Sequence, residues 1–484
     1  MARTYIYDAL YWAHAPHLWA LGVGAVVSGD FFGWQAGLSA GFWGLAINLL
    51  IVSVLYILLS FSIAELSTSI PCGGGPYAFA HRALGPMAAY FAGLAEVLKV
   101  IVTCAVVSVG IGSYIIQLFG WSSSNSGPLW WALFFVLFTL LNIAGIALSF
   151  RVQLFATVLS VLILVVFYIG AATQFSYDQF IAAPNMEFVD GSKGLVTGLS
   201  FAMWFYLGIE ELPLAVEETI DPAYNMPRGL LSSIATLFVL SFCTLFFNSG
   251  ISPGADKFYA STSPLLDGYK SVFGDNATTA GFSWLLIVGL LASFHSFIFC
   301  MGRLLFAMAR DGFLPSVLKR LHSTNHTPYA ALILGSCFAL LLAISLHFAI
   351  GDVRLGSVMI NLALTGALIS YAFQLVSFIH LRRHEPDLPR PYKSFFGVPG
   401  ACVCLALCAY ALSSIIYQGV VSPDDFLVAI VIAIVYFVGG TVLFYTTIKA
   451  NIVAHTSRLD KSLLSPGSRE AGVDHAGEIT PLLV

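Results

Sequence analysis

About twelve long runs of apolar residues divide this 484-residue chain, and they constrain its fold more than any other feature. A helix needs about 20 apolar residues to cross the hydrocarbon core of a bilayer. Hydrophobic residues make up 58% of the chain and charged residues 10%, whereas a soluble domain carries about 25% charged residues. This composition excludes a soluble enzyme and a disordered scaffold, and the net charge of −4 offers no basic surface for nucleic acid. The sequence predicts an all-α membrane protein of about twelve transmembrane helices.

The predicted spans are numbered 1 to 12 in chain order and are separated by polar loops. Their approximate bounds are 14–40, 42–66, 86–119, 129–149, 152–173, 194–218, 229–250, 282–309, 328–350, 355–381, 398–419 and 426–449. Residues 1–13 form an N-terminal segment, residues 14–449 the membrane domain, and residues 450–484 a polar tail whose composition predicts disorder.

Lys and Arg residues predict the orientation, because cytoplasmic loops of membrane proteins carry an excess of them. If the N-terminus is cytoplasmic, most of the 21 Lys and Arg residues fall on the cytoplasmic side. The outer loops then hold only Lys193, Lys257, Lys270 and Arg354, and Lys99 falls inside span 3. We therefore expect both termini in the cytoplasm and an even number of spans.

The longest outer loop, 251–281, contains the sequon Asn276-Ala277-Thr278. This sequence predicts N-glycosylation of Asn276 in a eukaryotic host. The eight cysteines lie in spans or in an inner loop rather than in outer loops. We expect no disulfide, no metal cluster and no cofactor.

Spans 1 and 6 are interrupted by glycine and acidic residues near the middle of the bilayer. Span 1 contains Gly29-Asp30, and span 6 contains Gly208 followed by Glu210 and Glu211. Broken helices survive in a membrane only where protein or a water-filled cavity satisfies their backbone groups. Each interrupted span is the first of a five-span block, which predicts inverted repeats at about 14–174 and 193–381, followed by spans 11 and 12, with the binding site at the breaks.

Two structural explanations of these breaks remain open. Glycines in a span also allow neighbouring helices to pack closely. Asp30 and Glu210 also suit a capping role, because a carboxylate at a restarted half-helix accepts bonds from free N–H groups.

Several motifs make the chain resemble a known superfamily. They are the run Ser28–Trp34 (SGDFFGW), the loop Gly73–Tyr77 (GGGPY), the segment Trp204–Gly229, and the stretch from Ser293-Phe294-His295 through Gly302-Arg303 to Arg310–Pro315. The chain resembles the amino acid–polyamine–organocation superfamily over about residues 14–450, and its closest branch is the ethanolamine permease and related amino acid permeases. The resemblance implies a five-plus-five inverted-repeat fold, alternating access, and a substrate between spans 1, 3, 6 and 8. Glu211 and Lys99 depart from the pattern of that branch.

The polar residues near mid-membrane are the candidate site. The candidates for substrate binding are Ser28, Gly29, Asp30, Phe31, Glu96, Tyr206, Gly208, Glu210 and His295, and those for coupling or proton transfer are Asp30, Glu210, Glu211, His295 and Lys99. Glu96 and Lys99 are three residues apart on one helix face and can pair. An unpaired carboxylate charge is energetically costly at low dielectric. Protonation, a bound cation or a cationic substrate would each remove or balance that charge.

These charges suggest the substrate. Where amino acid members of the superfamily receive a substrate carboxylate, this chain has Asp30, which would repel it. We therefore expect a secondary active transporter of a small, ethanolamine-like organic amine that works by alternating access. Coupling to Na⁺ or H⁺ is the first expectation, and uncoupled exchange is the alternative mode of transport. The alternative is an amino acid or polyamine permease of the same fold.

The tail predicts a location and a partner. It contains Asp460-Lys461-Ser462-Leu463-Leu464 and Glu478-Ile479-Thr480-Pro481-Leu482-Leu483. Both resemble acidic dileucine sorting signals, which are addresses rather than anchors. We expect adaptor binding to this tail and a plasma-membrane, endosomal or lysosomal location in contact with membrane lipid.

Overall fold

The computed structural model describes residues 13–119, 126–421 and 423–449. The N-terminal segment before Ala13 and the whole tail with its two dileucine motifs therefore lie outside the described residues. Across the described part, the regular elements are helices, together with an isolated parallel bridge between Ala13 and Thr219.

Ten of the predicted spans are single helices. They are span 2 at Gly41–Ser69, span 3 at Pro86–Phe119, span 4 at Gly127–Ile143, span 5 at Ile146–Ala172, span 7 at Pro222–Ser249, span 8 at Ala277–Arg310, span 9 at Tyr329–Ile350, span 10 at Asp352–His384, span 11 at Gly397–Val421 and span 12 at Pro423–Leu443, which a π-helical turn continues over Phe444–Ile448. Within the described residues, nine helices are long and apolar enough to cross a bilayer, and span 4 is a shorter apolar helix. Among the described residues, these ten helices and the interrupted spans 1 and 6 correspond to the twelve predicted spans. The chain is a multi-pass membrane protein.

Span 1 is interrupted, but later than the sequence predicts. Its helices are Ala15–Val26 and Ser28–Phe31, followed by a 3₁₀ helix at Trp34–Ala40. The sequence places the break at Gly29-Asp30, yet both residues lie in the helix Ser28–Phe31, and Val27 before it keeps right-handed helical dihedrals. The chain becomes extended only at Phe32 and then turns at Gly33, whose φ of 92° favours glycine.

A side chain from span 8 explains the early irregularity in span 1. The Ser293 hydroxyl donates to the Gly24 carbonyl at 2.7 Å and accepts from the Ser28 N–H at 3.0 Å. It thus replaces the direct backbone bond between these two residues. The helix loosens here without unwinding.

Span 6 is interrupted close to the predicted region. A helix at Gly191–Met203 gives way to turns over 204–208, and a 3₁₀ helix follows at Ile209–Glu218. Gly208 has a φ of 117°, which only glycine adopts without strain. The turn therefore lies where the sequence places Gly208.

Short helices fill the connections. They are Pro76–Leu84, a π-helical turn at Asp178–Ala182, Ala255–Phe258, Pro264–Phe273 and a 3₁₀ turn at Ser316–Lys319. Large apolar side chains such as Leu129 and Phe155 are about 70% exposed on the outside of the bundle, as expected where lipid replaces water.

The packing of the spans has the symmetry of two repeats. Span 1 packs on span 7 and span 6 on span 2; span 3 packs on span 10 and span 8 on span 5; span 3 packs on span 9 and span 8 on span 4. The counterparts are span 1 and span 6, span 2 and span 7, and so on to span 5 and span 10. When each span is replaced by its counterpart, the first packing pair in each clause above becomes the second. Because five is odd, the two blocks run in opposite directions through the membrane, as inverted repeats require.

Candidate functional site

The two interruptions pack directly against each other. A Cβ added at Gly29 would lie 2.6 Å from the Trp204 carbonyl oxygen, so glycine permits this close backbone approach. The Trp204 Nε1–H donates to the Phe32 carbonyl at 2.9 Å. The rings of Trp34 and Phe205 stack with centroids 5.7 Å apart. Side chains and backbone thus satisfy the broken helices where the sequence predicts a site.

Four charged residues meet on the side of the breaks where span 6 ends and span 3 begins. We call Glu96, Lys99, Glu210 and Glu211 the Lys99 cluster. Lys99 Nζ lies 2.6 Å from Glu96 Oε1, 2.9 Å from Glu210 Oε1 and 2.8 Å from Glu211 Oε1. All four residues are fully buried. The predicted Glu96–Lys99 pair is confirmed, and span 6 adds two more carboxyl groups to it.

Hydroxyl and backbone groups hold two of these carboxylates. Tyr371 of span 10 donates to Glu210 Oε1 at 2.6 Å, and the Gly208 N–H donates to Glu210 Oε2 at 3.0 Å. Ser370 donates to Glu96 Oε2 at 2.5 Å. Glu211 has no hydrogen-bond partner beyond its ion pair with Lys99. Glu210 therefore has the capping role at the span 6 turn that the sequence left open.

Asp30 lies apart from the Lys99 cluster, toward the ends of spans 5 and 7. Its Oδ1 accepts from the Thr244 hydroxyl at 2.7 Å, and the Tyr168 hydroxyl lies 2.6 Å from Thr244 Oγ1. Its Oδ2 is buried and has no hydrogen-bond partner. The side-chain bond of Asp30 runs to span 7 rather than to the N–H groups of its own helix. Asp30 is thus a buried carboxyl with one free oxygen and no ion pair among the described residues.

A group of tyrosines lies between the two acidic regions. The Tyr206 hydroxyl is 2.7 Å from Ser53 Oγ and 2.8 Å from Ser241 Oγ. Its ring stacks on Tyr56 with centroids 5.4 Å apart, and the Tyr56 hydroxyl lies 3.1 Å from that of Tyr371. Polar side chains therefore line most of the way from Asp30 to Glu210.

His295 lies in neither acidic region. Its Nδ1 is 3.2 Å from Asn142 Nδ2, and its Nε2 is 3.0 Å from the Ser149 hydroxyl and 3.1 Å from the Ser149 carbonyl. These partners belong to spans 4 and 5. The sequence placed His295 beside the substrate cavity, but its contacts resemble those of a neutral histidine that holds helices together.

The remaining candidates in span 1 make backbone contacts. The Phe31 carbonyl accepts from the Tyr114 hydroxyl at 2.5 Å, and its ring packs against Gly289. Ser28 contributes its N–H to Ser293. Gly29 faces Trp204.

Earlier carbonyls of span 1 are also occupied. Thr157 and Gln153 of span 5 donate to the Ala20 carbonyl at 2.8 and 3.2 Å. Ser293 and Ser296 of span 8 donate to the carbonyls of Gly24 and Leu21. Side-chain donors from spans 5 and 8 thus satisfy these carbonyl oxygens inside the bundle.

Four side chains contact the buried carboxyl groups or their partners but were not predicted from the sequence: Ser370, Tyr371, Thr244 and Tyr168. The predicted bounds of spans 5, 7 and 10 contain no charged residue and no glycine–acidic break, so these spans were not predicted to contribute to the site. Ser370 and Gln374 lie on one face of span 10, four residues apart. Such a polar stripe in an apolar helix was the one available signal.

Ion pairs close the end of the bundle where span 1 begins, which we call the basic face. Glu65 pairs with Arg382 and with Arg390, whose Nε lies 3.2 Å from Glu65 Oε1. Glu218 pairs with Arg303. Two more ion pairs lie at the same face, Arg82–Glu385 and Arg310–Glu217. Ion pairs between acidic and basic residues thus tie the helix ends together at the basic face.

Asn276 lies on the opposite face and begins span 8. Its Oδ1 accepts from the Thr279 N–H at 2.9 Å, which makes Asn276 the N-cap of that helix. It is exposed. Glycosylation at this position stays a prediction.

Comparison with known proteins places the chain in a family. The sequence profile described as amino acid permease matches residues 17–460. The chain belongs to the amino acid permease family. It is a transporter rather than an enzyme, in agreement with the sequence resemblance. The chain is 29% identical to an uncharacterized transporter of Rhizobium meliloti over 82% of this chain and 84% of that protein.

Two relatives carry substrates in their names. The chain is 26% identical to the methylthioribose transporter of Bacillus subtilis over 82% of this permease and 86% of that protein. It is 26% identical to a branched-chain amino acid permease of Bacillus subtilis over 86% of this permease and 90% of that protein. Relatives of this permease thus move small molecules of more than one class.

Proposed function

We propose that this permease moves a small organic amine, most simply an ethanolamine-like cation, across the membrane by alternating access with a coupled proton. The observation that carries the proposal is the excess of buried carboxyl groups. The Lys99 cluster sets three carboxyls against one ammonium, and Asp30 has no ion pair among the described residues. Buried charges without a partner are strongly unfavourable, so protons or a cationic substrate must balance them.

The contacts of Lys99 favour an amine over an amino acid as the substrate. A substrate carboxylate needs a cation or free N–H groups to receive it. Lys99 already contacts three carboxyls, and the Ser28 N–H is bonded to Ser293. An ammonium group, by contrast, finds a free carboxylate oxygen on Asp30.

The coupled ion is proposed to be a proton. Among the described residues, Glu211 is bound by Lys99 alone, with no hydroxyl or backbone donor, and is therefore the carboxyl in the Lys99 cluster best placed to gain and lose a proton. Glu210 is held by Tyr371 and Gly208 and positions Lys99.

A neutral amino acid is the competing substrate, because the relatives include a branched-chain amino acid permease and a large neutral amino acids transporter small subunit of Rattus norvegicus. The two substrates are separated by uptake into liposomes that contain the purified permease. Ethanolamine, leucine and methylthioribose are compared with an inward proton gradient, with an inward sodium gradient and with neither. We expect ethanolamine uptake that the proton gradient stimulates.

Asp30→Asn tests the carboxylate. We expect amine uptake to fall about 10- to 100-fold, since a charged hydrogen bond is worth about 1.5–3 kcal/mol. Asp190→Asn is the control, because Asp190 is exposed and Asn tolerates its positive φ. Leucine uptake that is unaffected by Asp30→Asn, with no amine uptake by the wild type, would replace the proposal with a neutral amino acid permease.

A further inference from the structure

Asn248 of span 7 is a buried amide without a partner. Its exposed fraction is 0%, and neither Nδ2 nor Oδ1 makes a hydrogen bond. Buried amide groups are almost always hydrogen-bonded, because desolvating them without compensation is costly. The unsatisfied donor and acceptor of this buried amide therefore indicate that a ligand supplies its hydrogen-bond partners.

The position of Asn248 connects it with Asp30. Thr244, which donates to Asp30 Oδ1, is four residues earlier on the same face of span 7. Side chains four apart on a helix have Cβ atoms about 5–6 Å from each other. Asn248 thus lies one helical turn from the residue that bonds Asp30, and both Asp30 Oδ2 and the Asn248 amide are free.

The surroundings of Asn248 place it under the short helix Pro264–Phe273. A Cβ added at Gly268 would lie 2.9 Å from Asn248 Oδ1 and 2.9 Å from the Phe167 ring. Glycine at 268 therefore leaves room for the amide. This helix lies at the face opposite the basic face, so the amide and Asp30 are on the route from that face to the Lys99 cluster.

We infer that Asn248 determines specificity by binding a second polar group of an amine whose ammonium binds Asp30 Oδ2. The inference rests on the proposed function and deepens it. A hydroxyl both donates and accepts, so it matches an amide that offers both. A two-carbon amino alcohol carries an ammonium and a hydroxyl close together, which suits a carboxylate and an amide presented at adjacent turns of span 7. A carboxylate in place of the hydroxyl would use only Nδ2 and would be repelled by Asp30.

The test compares ethanolamine with ethylamine, which has the same size and charge but no hydroxyl. The wild-type permease in liposomes is expected to prefer ethanolamine about tenfold or more, since a site built for a hydroxyl rejects an analogue without one. In Asn248→Leu the preference should disappear, with ethanolamine uptake falling to the ethylamine level. Asn361→Leu is the matched control, because Asn361 is an equally buried amide in span 10, and it should keep the preference.

The possible results separate this inference from the proposed function. Equal uptake of both amines by the wild type, or a parallel loss of both in Asn248→Leu, overturns the role of Asn248 and leaves amine transport standing. No uptake of either amine overturns both. If thermal unfolding shows that Asn248→Leu is not folded, Asn248→Ser decides, since its shorter side chain should reduce the preference; an unchanged preference in that variant overturns the inference.

Discussion

At the scale of single residues, Lys99 is a buried cation that pairs with three buried carboxyl groups. Replacing it with Met would leave the carboxyls of Glu96, Glu210 and Glu211 buried together without a cation. Breaking a buried pair in this way costs about 3–5 kcal/mol. We expect Lys99→Met to unfold at a clearly lower temperature in detergent and to lose transport.

A second substitution tests the charge argument. Lys99→Met combined with Glu211→Gln should recover part of the lost stability, because one excess carboxyl is removed with the ammonium. Lys193→Met, at an exposed lysine, is the control and should unfold like the wild type. A Lys99→Met protein of wild-type stability would contradict the central place of this lysine.

The residues that the sequence predicted correctly are those whose partner is near in the chain. Glu96 and Lys99 were paired by their spacing alone. The contact of Tyr371 with Glu210 joins residues 161 positions apart, and no helical period encodes that pairing. The sequence also grouped Asp30, Glu210 and His295 by depth in the membrane. Depth alone does not define a position around the bundle, and the three lie against different spans.

At the scale of the helical elements, the two interruptions depend on Gly29. Its added Cβ would meet the Trp204 carbonyl at 2.6 Å and the Phe205 Cα at 3.1 Å, and both are backbone atoms that cannot rotate away. We expect Gly29→Ala to cost about 1–3 kcal/mol of stability, as overpacking does. Transport should fall further than stability, because the breaks must close on the substrate. Thermal unfolding and liposome uptake measure the two effects.

Gly439→Ala is the control for Gly29→Ala. Gly439 lies in span 12, is exposed, and has open space where a Cβ would be. Alanine there should preserve both stability and transport. Wild-type transport by Gly29→Ala would show that the close approach of the two breaks is dispensable.

The glycine and acidic pattern predicted which spans are broken, and it did so for a physical reason. Gly208 adopts a φ of 117° in span 6, so the turn lies at the residue that permits it. In span 1 the extended residue is Phe32, four residues after Ser28. The Ser293 hydroxyl of span 8 bridges Gly24 and Ser28, so the backbone loosens at Val27 without unwinding and becomes extended only at Phe32. A contribution from a distant span is not visible in the local sequence.

At the scale of the whole molecule, the basic face and the glycosylation sequon lie at opposite ends of the bundle. The distribution of Lys and Arg predicts that the basic face is cytoplasmic. Lys257 and Arg383 are exposed at the two ends and suit single-cysteine labelling. The exposed native cysteines, Cys337 and Cys402, are replaced with serine first. Half-buried Cys72 adds little background, because burial raises the pKa of its thiol and the thiolate is the reactive form.

The labelling experiment uses a membrane-impermeant maleimide on intact cells and on permeabilised cells. Lys257→Cys should react in intact cells, because its loop is predicted to lie outside. Arg383→Cys should react only after permeabilisation, since span 10 ends at the basic face. Loss of a glycan-dependent mobility shift in Asn276→Gln would mark the same outer face independently. The reverse labelling pattern would invert the bundle, and the Asp30–Asn248 region would then lie on the cytoplasmic half of the route.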